Sequence, residues 1–195
     1  MGAGGLGSPV LLYLAAAGVG TLGVIDDDVA DATNLQRHVV HAEASVGEPK
    51  TASAARAIRA RNSDVTVVEH RLRIDEASGR EVFADYDVVV DGTDNFPTRY
   101  AVNDVCAALG IPFVWGSVYR TQAQLSVFWK QPRWLPDAVE TPGVDLRDLF
   151  PNPPDPATVP ACGNAGVLGA LTGQVGAMMA SETVKLIVGG GDSLL

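Results

Sequence analysis

The apolar positions of this chain fall into short runs separated by helical or irregular polar stretches. Val10 to Ala17 reads as a short buried helix, with Ser8 as its N-cap, Pro9 at the first helical position and Gly18 as a left-handed cap. Thr21 to Ile25 has a β-branched bias and suits a strand buried on both faces, stopped by Asp26, Asp27 and Asp28. Asp31 to Gly47 shows no clean period. Lys50 to Arg61, alanine-rich with basic residues interspersed, predicts a helix. A strand follows over Thr66 to Leu72, a helix over Glu76 to Ala84, and a second buried strand over Asp87 to Asp91. Pro97 opens a further helix and Gly110 closes it. Phe113 to Trp115 and Gln122 to Trp129 read as two more strands.

The pattern then changes. Eight of the 12 prolines lie between Pro132 and Pro160, which marks a long, mostly irregular crossover of a length usually tied to function. Ala165 to Val188 is helical in pattern and rich in small residues. Its glycines, Gly166, Gly169, Gly173 and Gly176, point to close backbone approach, and Gln174, Ser181, Glu182 and Lys185 argue against a membrane span. Gly189 to Gly191 reads as a flexible tail. Strands alternating with helices predict an α/β fold, a Rossmann-like doubly wound sheet. One domain over 1–195 is expected: a nucleotide-binding core at 1–129, the crossover at 130–164, and a C-terminal helix and tail at 165–195.

Composition narrows the function. A chain of 195 residues, 47% hydrophobic and 19% charged, can bury a real core. The net charge of −9 argues against nucleic acid and anionic membrane as partners. Cys106 and Cys162 have neither CxxC spacing nor a histidine pattern, so neither a disulfide framework nor a protein zinc site is expected. The run from Val10 to Ile25 is too interrupted to span a membrane, and no basic segment precedes it as in a signal peptide. A cytoplasmic setting is the expectation.

The candidate chemistry starts at the first residues. Gly2, Gly4 and Gly7 have the G-x-G-x-x-G spacing that brings a phosphate onto backbone N–H groups at a helix N-terminus. Such a loop ordinarily follows a buried strand. Asp26, about 20 residues after the last glycine, stands where an acidic side chain takes ribose hydroxyls. Together they predict nucleotide binding without separating NAD from ATP. Arg37 and Lys50 separate the two, because charge grows on an α-phosphate under attack and a hydride transfer needs no such cations. Lys50 opens a helix, where the macrodipole disfavours a cation, and this points to an anion nearby. Asp94, after a buried strand, suits Mg²⁺ shared with phosphates, or equally an N-cap for the Pro97 helix. Cys162 precedes a helix and is the nucleophile candidate, whereas Cys106 reads as inert core. His38 and His41 lack a third ligand and read as structural or surface residues.

These residues compose a resemblance. Gly2-Ala3-Gly4-Gly5-Leu6-Gly7-Ser8-Pro9, Gly18 to Asp26, Asn34-Leu35-Gln36-Arg37-His38, Val46-Gly47-Glu48-Pro49-Lys50 and Asp91-Gly92-Thr93-Asp94-Asn95 resemble, in order, motifs of the ThiF/MoeB/HesA family. These are ubiquitin-activating-like adenylyltransferases of sulfur-carrier proteins. The resemblance implies a ubiquitin-activating-enzyme-like fold, ATP and Mg²⁺ as cofactors, and adenylylation of the C-terminal glycine of a ubiquitin-like sulfur carrier. It also implies a homodimer. Gly4, Gly5 and Gly7 would form the phosphate loop. Asp26 and Asp28 would lie at the nucleotide, with Asp26 on the ribose. Asn34, Arg37 and Lys50 would contact phosphates, and Asp94 would bind the metal. Cys162 matches the cysteine of the family's crossover loop.

Many relatives hold zinc with two CxxC pairs. Asp145-Leu146-Arg147-Asp148 stands where the first pair would be, so the resemblance is to the zinc-free, MoeZ-like branch and no structural zinc is expected. The family's first strand and an N-terminal arginine segment are not in this sequence. The chain is therefore expected to be truncated at both ends, with Met1 a truncation point or a valine codon read as a start. Two other functions remain open: an NAD(P)-dependent oxidoreductase, and a degenerate carrier-binding domain without catalysis.

Overall fold

Side chains on successive strand residues point to opposite faces, and this sorts the core into two layers. The computed structural model describes residues 1–132, 143–154 and 166–194. In chain order the elements are α1 (Gly7–Ala17), β1 (Thr21–Ile25), α2 (Lys50–Arg61), β2 (Thr66–His70), α3 (Glu76–Phe83) and β3 (Val89–Asp91). They continue with α4 (Phe96–Leu109), β4 (Phe113–Tyr119), β5 (Gln122–Phe128), a single turn α5 (Leu146–Leu149) and α6 (Gly169–Val188). On β4, Phe113 and Trp115 enter a cluster with Ile25, Phe83, Val105 and Cys106, so this layer is built by α3 and α4. Val114 between them joins Val24, Leu14, Ile58 and Met179, contributed by β1, α1, α2 and α6. Helices therefore cover both faces, as a doubly wound sheet requires.

The strands form two groups. β1 pairs parallel with β2, Leu22 opposite Val67. β3 pairs parallel with β4, Val90 opposite Val114, and β5 returns antiparallel along β4. Between β1 and β3 lie Met1 and Gly2. Gly2 N–H donates to the Ile25 carbonyl at 2.9 Å, and Gly92 N–H donates to the Met1 carbonyl at 2.9 Å. The Met1 ammonium donates to the Val90 carbonyl at 2.6 Å, and burial holds its pKa below the ordinary amine value. The slot between the two groups is thus bridged by two residues.

Several sequence expectations need correction. Helix α1 starts at Gly7, with Leu6 in the N-cap position and no side-chain cap. Ser8 is not the cap: it is fully buried and its Oγ has no hydrogen-bond partner. Tertiary packing against α6 overrides the local cap preference, because Pro9 and Leu6 lie directly against Gly176. β4 is longer than expected and forms a hairpin with β5 through Arg120 and Thr121, where Arg120 takes φ 55°. A two-residue hairpin turn demands such left-handed backbone. The glycine tail is docked rather than loose: Val127 N–H donates to the Leu194 carbonyl at 3.1 Å, and Leu194 N–H to Glu182 at 3.1 Å. Within the proline-rich stretch, Asp145 caps α5 by accepting from Arg147 and Asp148 N–H, and Lys130 pairs with Asp145 and Asp148.

Candidate active site

The C-terminal ends of β1 and β3, beside the two-residue bridge, open into a cleft of about 290 Å³. Open α/β sheets bind ligands in this position. The cleft gathers Gly4, Gly5, Asp26, Asp28, Asn34, Arg37, Lys50 and Asp94 from five separate stretches of sequence. Gly7 is not among its lining residues. A Cβ at Gly7 would run into the Gly2 carbonyl, so this glycine closes the turn.

The glycine loop is clamped at Ala3. Asp26 Oδ2 accepts from Ala3 N–H at 2.8 Å, and Asp26 Oδ1 accepts from Asp28 N–H at 2.9 Å. His41 Nε2 lies 2.8 Å from the Ala3 carbonyl and Nδ1 2.9 Å from Ser53 Oγ. A carbonyl only accepts, so Nε2 carries the proton and Ser53 donates to Nδ1. Burial pushes the His41 pKa down, in keeping with a neutral ring. Thr172 of α6 packs under Gly5, where a Cβ would come within 3.1 Å of its hydroxyl. Asp26 directly follows the last residue of β1 and lines the cleft.

The cations are held in two ways. Lys50, at the first turn of α2, is 6% exposed and pairs with Asp28 at 2.8 Å and Asp26 at 3.9 Å. Arg37 lies after a 3₁₀ turn over Ala32–Asn34 and donates to the Asn34 amide oxygen at 2.6 Å. Sequence reasoning missed a third, Arg99 of α4. It is 5% exposed, donates to the Thr93 carbonyl at 2.8 Å and to Ser117 Oγ at 3.0 Å, and lies 5.8 Å from the Trp115 ring. Among the described residues no carboxylate pairs with Arg37 or Arg99, although Arg56, Arg73, Arg80 and Arg147 all have acidic partners. In the sequence Arg99 is a lone arginine far from the glycine loop, and the β3–β4 pairing brings it to the cleft.

Asp94 rides on a loop fixed at both sides. Asp91 Oδ1 accepts from Thr93 N–H, and Arg99 grips the Thr93 carbonyl. Asn95, not Asp94, caps α4 by accepting from Thr98 N–H. The cap alternative for Asp94 is thereby taken by its neighbour, and Asp94 itself is exposed and lines the cleft. Cys106, on α4, is buried in the core, and burial raises its thiol pKa. Cys162 lies outside the described residues.

The family model described as the ThiF family matches residues 1–194. The chain belongs to the ThiF family. It is 50% identical over its whole length to a probable adenylyltransferase/sulfurtransferase MoeZ of Mycobacterium tuberculosis, covering 48% of that protein. It is 48% identical to the SAMP-activating enzyme E1 of Haloferax volcanii, covering 100% of this chain and 68% of the relative. A crystal structure of E. coli MccB with ATP matches with a TM-score of 0.73 at 26% identity, over 100% of this chain and 56% of MccB. This ThiF chain therefore spans about half the length of its mycobacterial relative.

Proposed function

We propose that this ThiF chain is the adenylating domain of a sulfur-carrier protein adenylyltransferase, activating the C-terminal glycine of a ubiquitin-like carrier with ATP and Mg²⁺. The observation that carries the reading is the convergence of Arg37 and Lys50 on the glycine-loop cleft, with Arg37 unpaired by any carboxylate among the described residues. That charge stands where it can offset negative charge growing on an α-phosphate under attack, which a hydride transfer does not generate. The names of the relatives, an adenylyltransferase/sulfurtransferase and a SAMP-activating enzyme, support the same class.

The chemistry follows from the residues. Asp26 would hold the ribose, and the loop from Gly4 to Gly7 would let phosphates approach the start of α1. The carrier carboxylate attacks the α-phosphorus, and the bond from phosphorus to the bridging oxygen of pyrophosphate breaks. Arg37 and Lys50 neutralise the charge that develops on the phosphate oxygens. Val118 and Val167 add apolar side chains to the lining of the cleft.

Magnesium fits the donor set through a single carboxylate. No cluster of three metal-ligating side chains occurs among the described residues, and Mg²⁺ ordinarily takes one or two carboxylates with phosphates completing its shell. Asp94 would supply that carboxylate. A bound ion would shield the phosphate charge and fix the leaving group's orientation. Assembly as a homodimer is a further part of the proposal, supported by exposed apolar side chains on α6, Met178, Ile187 and Val188.

Titration with ATP–Mg²⁺ and with NADH tests the nucleotide choice: ATP binding is expected, and NADH binding in its place would overturn the reading. Carrier-dependent ATP–pyrophosphate exchange tests the metal role. An Asp94→Ala variant is expected to lose exchange, and exchange at the wild-type rate would remove Asp94 from the metal site.

A further inference from the structure

One side chain in the cleft has no task in the mechanism above. His38 is 6% exposed and lines the cleft with Gly4, Gly5, Arg37 and Lys50. Its backbone N–H is tied to the Asn34 carbonyl at 2.9 Å. The ring meets His41 edge-on, with centroids 6.1 Å apart, and His41 is itself fixed between Ser53 and Ala3. His38 Nε2 stands beside the glycine loop, 3.4 Å from where a Cβ at Gly4 would be. Its Nδ1 is buried with no hydrogen-bond partner.

That arrangement selects one protonation state. Burial above all, and then Lys50, Arg37 and His41 facing the ring with Asp28 as the opposing acid, push the pKa down to about 3. The ring is neutral at physiological pH. A buried N–H without an acceptor costs more than a buried lone pair, so the proton belongs on Nε2 and the lone pair on Nδ1. Nε2–H is then a donor aimed at the loop, in a cluster of cations to which it adds no charge.

We propose that His38 is a phosphate-binding residue of this cleft, a neutral imidazole donating from Nε2 to a phosphate oxygen seated over Gly4 and Gly5. The inference rests on the nucleotide reading and extends it to a residue that neither the glycine motif nor the cationic pair includes. A neutral donor orients a polyphosphate without competing with Arg37 and Lys50 for it. Because the contact needs no proton uptake, it holds across the pH range in which an ordinary histidine switches.

Two measurements on the purified full-length protein test this. ATP–Mg²⁺ affinity is compared for wild type, His38→Gln and His38→Leu; glutamine keeps a neutral donor and leucine removes it. Leucine is expected to weaken binding about tenfold, the loss of one hydrogen bond to a charged group, and glutamine much less. Equal affinity for wild type and leucine, or equal weakening in both variants, would overturn the donor role. In parallel, ¹⁵N spectra of the imidazoles, of which the chain has three, are expected to show an Nε2–H tautomer at His38 that does not titrate between pH 5 and 8. Adding ATP–Mg²⁺ should shift its Nε2 signal. A wild-type protein that binds ATP while His38 stays unshifted would contradict this inference alone, whereas no ATP binding at all would overturn the nucleotide reading and this inference with it.

Discussion

Arg37 and Lys50 carry the same charge but are held for different work. Lys50 is buried and anchored to Asp28, so its position is set before any ligand arrives. Arg37 rests on a neutral amide and keeps its planar fork for a ligand. An Arg37→Ala variant is expected to lower adenylylation turnover about 100-fold, the scale seen for a lost charge-stabilising donor. Arg37→Lys should restore only part of it, because a point charge lacks the fork. Steady-state kinetics with a carrier decides between these outcomes. His38 and His41 make a prediction about stability. Both have folded pKa values below the unfolded value of about 6.5. The unfolded chain therefore binds more protons below that pH, and the stabilisation from keeping the rings neutral is present above pH 6.5 and lost as pH falls toward 3. The depressed carboxylates, Asp31, Asp104 and Asp148 among them, act in a lower window, below about pH 4. Thermal melts should show Tm falling between pH 6.5 and 4.5, with a shallower fall in His38→Gln. A Tm independent of pH in that window would contradict the neutral rings. At this scale, the residues whose type declares a charge beside a glycine motif were legible in the sequence. His38 and Arg99 were not, because burial and the absence of an acidic partner are properties of the folded surroundings.

Helix α6 shows how an element places the site. Its N-terminal half lies across the glycine loop, and two of its glycines have opposite surroundings. A Cβ at Gly176 would collide with Pro9 and the Leu6 carbonyl, whereas one at Gly173 would meet nothing within 4 Å. Gly176→Ala should destabilise the protein by about 1–3 kcal/mol, since the obstruction includes backbone that cannot step aside. Gly173→Ala should stabilise it by about 1 kcal/mol through helix propensity. Denaturant unfolding of the pair tests the packing of α1 on α6, and destabilisation by both would contradict it. The helical pattern predicted close backbone approach for all these glycines alike; only the packing distinguishes them. The boundaries of β1 and α2 were legible in full because a β-branched run ended by aspartates and an alanine-rich stretch need no tertiary partner to be recognised. The β4–β5 turn and the docked tail were not. Arg120 is an unusual residue for left-handed backbone, and the tail's anchor is Glu182, which reads in the sequence only as a polar interruption of a helix.

The whole molecule brings the residues of one cleft together across a slot between strand groups. β1 leads into Asp26 and Asp28, β3 leads into the Asp94 loop, and the bridge through Met1 and Gly2 ties the two strand groups together. Family membership shows in the order of five motifs along the chain, but their convergence is a property of the doubly wound topology. In the proposed function this convergence activates a carrier carboxylate with ATP. Isotope exchange between pyrophosphate and ATP measures that step directly, with a ubiquitin-like sulfur carrier ending in glycine as the partner. The expected exchange requires the carrier, disappears when its terminal glycine is removed, and falls sharply in Arg37→Ala. Exchange of the same rate with a carrier lacking its terminal glycine, or no exchange with any intact carrier by a protein that binds ATP, would contradict it.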